Sequence, residues 1–336
     1  MAQSVRTERV GEGTDERVAH MTREIRFTVK DNDAGKTLTA FLADRFTYHS
    51  EQDWRRLVGE GRMRVNGTTA EPDRALAAGD TLDYDVSGMP EPPVDADFRV
   101  VSDDPALLVV DKPGNLPCHP GGRYFNHTLW AFLKARHGMT APVFVNRIDR
   151  ETSGIVLVAK TPEAAVDLQR QFAERAVAKC YTVFVEGAFP ERLEAAGWLA
   201  PDPRSAVRKK RRFIPADKGS PAPAEKAEWA ETAFERERLC DGFSVVTAVP
   251  RTGRLHQIRA TLLSLGYPVV GDKLYGVDET MFLRFCEGAL TREDRMRLRL
   301  LRQALHAGAL RFRHPLLDEW TEATAPLPPD MASLLG

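Results

Sequence analysis

The sequence predicts an α+β protein: a mixed, mainly antiparallel sheet domain over residues 98–331, preceded by a small α+β domain over 25–88. Three observations lead there. Strand-like runs after residue 98 are interrupted by only occasional helical patterns, which favours a mixed or antiparallel sheet over a doubly wound one. Residues 89–97 lie in a stretch, Gly88 to Asp97, that holds three prolines and three acidic residues and reads as a linker. A chain of 336 residues accommodates two domains more readily than one.

Residues 1–24 mix charges with Gly, Ser and Thr without an apolar period and read as a flexible tail. Ile25 to Val29 then alternates as a strand does, and Leu38, Phe41 and Leu42 share one helical face. Ser50 with Asp53 is a capping-box pattern ahead of a helix carrying Trp54, Leu57 and Val58, stopped by Gly61. Arg62 to Val65 alternates charged and apolar residues, Asn66-Gly67 supplies a turn, and Thr81 to Val86 is one more short strand.

Beyond the linker, Ala106 to Asp111, Ile155 to Ala159, Tyr181 to Val185 and Phe243 to Val249 are strand candidates. Glu163 to Phe172 is helical in pattern, with Ala164, Ala165, Leu168 and Phe172 on one face, and Leu255 to Leu265 is a helix ended by Gly266. Pro201 to Ala227, rich in Pro, Lys and Arg, reads as an irregular insertion.

Composition narrows the function classes. With 43% hydrophobic and 28% charged residues the chain is globular rather than disordered. No apolar run approaches the roughly 20 residues that span a bilayer, and the start lacks the apolar core of a secretory signal. Four scattered cysteines without a CxxC pair point to neither a zinc ribbon nor a dithiol redox site, so a reduced, cytoplasmic setting is expected. A net charge of −1 does not announce a nucleic-acid binder. Val207 to Arg212 does so locally, with five positive charges in six residues, although a solvated basic loop fits it equally well.

Three segments could carry chemistry. Asp149 lies in a polar, turn-prone stretch, Asn146 to Gly154, feeding a very apolar strand; that position suits a catalytic carboxylate or an aspartate that caps its own turn. Arg251 to Arg259 opens a helix after a strand, where Arg254 could hold a carboxylate or phosphate and where His256 and Arg259 share a face. Tyr181 begins a strand, as a core residue or a stacking platform for a base. His119 and His127 flank two glycines, but no carboxylate or Cys accompanies them at a metal-binding spacing.

Taken in order, Arg147-x-Asp149-x-x-Thr152-Ser153-Gly154, Ala178-Lys179-x-Tyr181, Thr252-Gly253-Arg254-x-His256-Gln257-Ile258-Arg259 and Gly271-Asp272-x-x-Tyr275-Gly276 resemble the RluA-type pseudouridine synthases. Leu305-His306-Ala307 and Phe312-Arg313-His314-Pro315 look like that family's closing strands, and the resemblance spans about 98–329. It implies a central RNA-binding cleft and an isomerase that turns uridine into pseudouridine without cofactor or metal. By the same resemblance Asp149 is the nucleophile, Arg254 its ion-pair partner, and Tyr181 the platform under the flipped uracil. Arg147 fills the gap left by that nucleotide, and Ile258 and Leu274 are apolar walls. Asn146 departs from the family's usual His at that position.

Residues 25–88 are similar to an S4 RNA-binding domain, through Trp54 to Val58 and Gly61 to Gly67. Arg55, Arg56, Arg62 and Arg64 would then face RNA phosphates. This architecture implies a monomeric, cytoplasmic enzyme with RNA as partner and no membrane association, acting on large-subunit ribosomal RNA. The Gly-Arg-Tyr loop at 122–124 also resembles members acting on transfer RNA. Two other readings compete: a non-catalytic RNA-binding or ribosome-assembly factor, and an Asp-based hydrolase, which would need a second acid or a metal.

Overall fold

The computed structural model describes residues 24–46, 49–286 and 288–336; the expected tail, save Glu24, lies outside the described residues. These form two compact units. One runs to Pro92 and takes in Gly121–Asn126, and the other comprises Pro93–Pro120 and His127–Gly336.

In the first unit the elements are β1 (Glu24–Thr28), α1 (Leu38–Arg45), α2 (Glu51–Gly59), β2 (Met63–Val65), β3 (Thr68–Thr69) and β4 (Thr81–Asp85). The capping box of α2 forms: the Ser50 side chain accepts the Asp53 N–H and the Asp53 carboxylate accepts the Ser50 N–H. Asn66 and Gly67, both at positive φ, make the two-residue turn between β2 and β3. The strands pair antiparallel in the order β1-β4-β2-β3. Leu38, Phe41 and Leu42 of α1 and Trp54, Leu57 and Val58 of α2 are buried with Met63, Val65 and Leu82 of the sheet. The one polar atom of the buried Trp54 ring is satisfied, since Nε1 donates to the Phe46 carbonyl.

The second unit contains β5 (Arg99–Asp103), β6 (Leu107–Lys112), α3 (Leu129–His137), β7 (Val143–Phe144), β8 (Ser153–Ala159), α4 (Pro162–Ala173), β9 (Ala178–Glu186) and β10 (Arg192–Pro201). These are followed by β11 (Arg211–Pro215), β12 (Glu228–Leu239), β13 (Phe243–Pro250), α5 (Gln257–Ser264), α6 (Thr280–Cys286), α7 (Arg292–Leu298), β14 (Leu305–Arg313), β15 (Trp320–Thr324) and α8 (Pro329–Ala332). One sheet joins the strands in the order β11-β10-β12-β13-β9-β14-β8-β6-β5, with β15 on β14 and β7 on β8. Every pairing is antiparallel except β14 with β8, so the fold is α+β on a mixed, mainly antiparallel sheet.

β8 is buried along its whole length because both faces are covered. Val156 and Val158 pack under Leu129, Phe132 and Leu133 of α3. Ile155 and Leu157 pack with Leu168 of α4 and Leu310 and Phe312 of β14. Gly154 makes the parallel junction possible. Its φ is +116°, and a Cβ there would lie 2.2 Å from the Ala307 carbonyl oxygen of β14.

The expectation of an irregular insertion from 201 to 227 needs correcting. Arg211–Pro215 is a strand that pairs with β10 and buries Phe213. Its basic residues masked that pattern, because long cationic side chains occupy the positions around the one buried aromatic.

Candidate active site

Asp149 sits in the loop between β7 and β8. The turn is closed by the backbone, with the Thr152 N–H donating to the Asp149 carbonyl at 3.1 Å. The aspartate therefore does not cap itself, and its carboxylate faces elsewhere. Three cations fasten the loop. Lys112, fully buried, donates to the Arg150 carbonyl at 3.2 Å. Arg302 donates to the Glu151 carbonyl, and Lys273 pairs with the Glu151 carboxylate at 2.9 Å. Burial lowers Lys112 to about 8, which still leaves it mostly an ammonium at neutral pH, able to donate to these carbonyls.

The first-motif asparagine has a positional role in the same loop. The Asn146 amide donates to the Ile155 carbonyl and accepts the Leu157 N–H at 2.7 Å. It thereby clips the start of the loop onto β8.

The cation beside Asp149 is Arg259, in the first turn of α5. Its Nη1 donates to Asp149 Oδ2 at 2.7 Å. Its Nε and Nη2 grip Asp272 at 2.6 and 2.9 Å, and Asp272 Oδ1 also accepts the N–H groups of Leu274 and Tyr275. Gln303, just before β14, donates to Asp149 Oδ2 at 3.3 Å and to Thr152 Oγ1 at 2.6 Å. Oδ2 is thus saturated. Oδ1 accepts no hydrogen bond among the described residues, and the His256 Nε2 lies 3.8 Å from it. The Asp149 side chain remains 29% exposed.

Burial alone would raise the Asp149 pKa. The charge that His256 takes on in acid and the permanent charge of Arg259, with the hydrogen bonds from Arg259 and Gln303, outweigh it and hold the carboxyl below its ordinary value. Burial lowers His256 to about 4, so at neutral pH the imidazole is uncharged and Arg259 is the cation that matters. The Tyr181 phenol is pushed up to about 12, first by burial and then by the Asp149 charge, so it is a neutral neighbour of the carboxylate.

Ile258 and Leu274 are buried in one apolar cluster, and Tyr181 of β9 packs against that cluster. Arg147 is exposed and, among the described residues, has no hydrogen bond or ion pair. The expected pairing of Asp149 with Arg254 is corrected. Arg254 instead turns to β12, with Nε donating to the Trp229 carbonyl and Nη1 3.2 Å from Glu228.

The reason is local. His256 takes a left-handed conformation (φ +56°), so the helix starts only at Gln257 and the residues on either side of the break diverge. The Gln257 amide locks the segment before the break. It accepts from Arg254 N–H and Thr252 Oγ1 and donates to the Glu231 carbonyl and Thr232 Oγ1. Sequence reasoning had placed Arg259 and His256 on one face without giving Arg259 the pairing, and it missed Gln303. The usable signal was a cation inside an otherwise apolar helix, which needs carboxylates when buried.

In the other unit, Arg55 makes a two-pronged pair with Asp73, and Arg56 pairs with Glu60 and Asp53. Arg62 donates to the carbonyls of Asp85 and Ser87 and is half-buried. Arg64 projects outward from β2, between the buried Met63 and Val65.

An ionised carboxylate with one open oxygen, a neutral phenol and apolar walls suit attack on an electrophilic carbon by a single acid. Asp272, the nearest other carboxylate on Arg259, is buried and fully engaged. Similarity to known proteins agrees with this chemistry. The RNA pseudouridylate synthase family model matches residues 106–264. The ribosomal large subunit pseudouridine synthase D of Xanthomonas campestris is 32% identical over 318 residues, 92% of this chain and 90% of that protein. The mitochondrial tRNA pseudouridine(32) synthase of Saccharomyces cerevisiae is 32% identical over 247 residues, 73% of this chain and 51% of that protein. Among solved structures, human RNA pseudouridylate synthase domain containing 1 has a TM-score of 0.55 at 28% identity, covering 73% of this chain and 89% of that chain. The chain belongs to the RluA-type RNA pseudouridine synthases, which are isomerases.

Proposed function

We propose that the protein isomerises uridines of large-subunit ribosomal RNA, with Asp149 as nucleophile. The observation that carries the proposal is the Asp149 carboxylate itself: held ionised by Arg259, loaded on Oδ2 and open on Oδ1, beside Tyr181. The target nucleotide leaves its stack, at a cost of a few kcal/mol. Tyr181 stacks on the extruded uracil between Ile258 and Leu274, and Arg147 fills the space it vacated. Asp149 acts at the ribose: the C1′–N1 bond breaks with its electron pair going to the uracil, whose anion is delocalised. The base turns, C5 bonds to C1′, and the C5 proton is lost while N1 gains one, so the sum is an isomerisation.

Ribosomal RNA is favoured over transfer RNA because the similarity to the large-subunit enzyme runs through nearly all of both chains, whereas that to the transfer-RNA enzyme covers about half of it. The S4-like unit would supply further phosphate contacts through Arg64 and through Arg55 and Arg56. Exposed ion pairs such as theirs are worth little and exchange readily for a phosphate. Arg62, which holds carbonyls, has the weaker claim. We take the working form to be a monomer in the cytoplasm, where ribosomes assemble. Among the described residues no helix is long and apolar enough to cross a membrane.

The test is a pseudouridine map of total RNA from a strain lacking the gene, complemented with wild type or Asp149→Asn. Loss of a large-subunit site, restored by wild type and not by Asp149→Asn, is expected. Loss confined to transfer RNA would move the substrate assignment, and an unchanged map would refute the proposal.

A further inference from the structure

His256 has one ring nitrogen engaged and one open. Its Nδ1 lies 2.9 Å from Tyr275 Oη. That oxygen already accepts the Arg211 backbone N–H at 2.8 Å, and Tyr275 is fully buried. A phenol has one proton to donate, and among the described residues Nδ1 is the acceptor it meets. Were Nδ1 to carry the proton instead, the Tyr275 oxygen would receive two donors and its own hydroxyl would have no acceptor, a situation buried polar groups avoid. The network thus assigns the imidazole proton to Nε2. Burial, which lowers His256 to about 4 and pushes the Tyr275 phenol well above its ordinary range, keeps both rings neutral.

The Nε2–H points to the Asp149 side of the pocket, yet 3.8 Å from Oδ1 is beyond hydrogen-bond reach. No hydrogen bond engages Nε2 among the described residues. Two features over-determine the ring position despite the left-handed backbone, a conformation uncommon for a residue with a side chain. The ring meets Tyr275 edge to face at 5.4 Å, and Tyr275 is in turn held by the Arg211 N–H and by the Arg259 guanidinium over its ring. A donor held this firmly and left without an acceptor is arranged for a ligand atom.

We propose that His256 is a neutral hydrogen-bond donor to the target nucleotide, giving its Nε2–H to an oxygen beside the glycosidic bond, either uracil O2 or the ribose 2′-hydroxyl. The inference rests on the reading of Asp149 as nucleophile at the ribose. Because Oδ2 is occupied by Arg259 and Gln303, Oδ1 is the oxygen that meets C1′, and a donor next to Oδ1 is within reach of the oxygens flanking the C1′–N1 bond. A neutral donor favours the charge that builds up as the bond breaks while keeping its own proton.

Long-range ¹H–¹⁵N correlation on the labelled full chain reads the tautomer, with the His256 signals identified by their loss in His256→Gln. The Nε2–H form is expected in wild type at neutral pH, with the fixed tautomer lost in Tyr275→Phe; an Nδ1–H form in wild type overturns the proposal. Turnover is then measured on an RNA fragment spanning the mapped target, carrying uridine, 2′-deoxyuridine or 2-thiouridine there. On uridine, His256→Ala should lower kcat about a hundredfold with KM little changed, and His256→Gln, which keeps a donor, should recover part of it. On the RNA that lacks the accepted oxygen, the His256→Ala penalty should shrink to about threefold or less. A full penalty on both modified RNAs, or none on uridine, overturns the proposal. Wild-type turnover of the unmodified RNA separates the two failures: its absence refutes the underlying function and the inference with it, whereas turnover with an undiminished penalty refutes the inference alone.

Discussion

Arg259 is shared between two carboxylates, donating from Nη1 to Asp149 at 2.7 Å while Nε and Nη2 hold Asp272 at 2.6 and 2.9 Å. Only a planar fork meets both at once; a lysine ammonium on a flexible stem does not reproduce that geometry. Arg259→Lys should therefore lower kcat by about 10² or more and destabilise the fold by about 3 kcal/mol, since one buried carboxylate loses its partner. Arg254→Ala should do neither to that degree, because Arg254 pairs with Glu228 at the surface. Parallel single-turnover rates and denaturant midpoints check this; equal loss of activity in both variants would restore Arg254 as the partner of Asp149.

Gln303 contributes to the acid limb of activity, after the charges of His256 and Arg259. It is a neutral donor to the same oxygen that Arg259 occupies. Gln303→Glu replaces it with a second negative charge against Asp149, which raises the Asp149 pKa by about one unit or more. Asp149 must be ionised to act, so activity is lost as pH falls through its pKa. In wild type that limb lies below the ordinary 3.8, and in Gln303→Glu it should move toward neutrality. A pH profile of kcat/KM for both proteins shows it; unmoved limbs would mean that Gln303 does not act on the carboxylate.

Much of this site was readable before the structure. Strand alternation led to the sheet, whereas Asp149, Tyr181, Ile258 and Leu274 were singled out by the family resemblance that the ordered motifs carry. The capping box at Ser50 and Asp53 was visible because capping is a local contest between neighbours. Arg259 was hidden for the opposite reason. Which of two arginines five residues apart reaches Asp149 depends on the left-handed turn at His256, and nothing in the local composition announces a non-glycine residue there. Gln303 was beyond reach because its partners Asp149 and Thr152 lie more than 150 residues away. β12 had a usable period-two pattern through Ala230, Thr232 and Phe234, obscured by Glu231 and by the charged run from Glu235 to Arg238.

Asp272 ties the site to the stability of the whole unit. Burial pushes its pKa up, but the Arg259 charge and the N–H groups of Tyr275 and Leu274 prevail, leaving it below the ordinary 3.8. A depressed folded-state pKa means that the contribution is fully present above the unfolded value and is lost as pH falls through the folded one. Asp272→Asn should cost about 3–5 kcal/mol near neutral pH, because Arg259 loses a buried partner. The gap from wild type should narrow below about pH 4, where wild type loses the same interaction. Denaturant midpoints at neutral pH and about pH 3 test it; a gap that widens on acidification would contradict the assignment.

Arg147 offers the cleanest separation of function from folding. It is exposed and unpaired among the described residues, two positions from Asp149 on a loop fastened by Lys112, Lys273 and Arg302. Arg147→Ala should leave stability within about 0.5 kcal/mol of wild type. If the guanidinium fills the place of the extruded uridine, its removal returns part of the unstacking cost, on the order of 1–2 kcal/mol, or roughly five- to thirtyfold in rate. That penalty belongs to a structured substrate, where a gap in the stack has to be filled. A short unstructured strand carrying the same uridine has no such gap, and there the variant should approach wild type. The two substrates are compared under single turnover. A penalty of the same size on both would make Arg147 an ordinary phosphate contact, one whose effect should then fade as salt is raised.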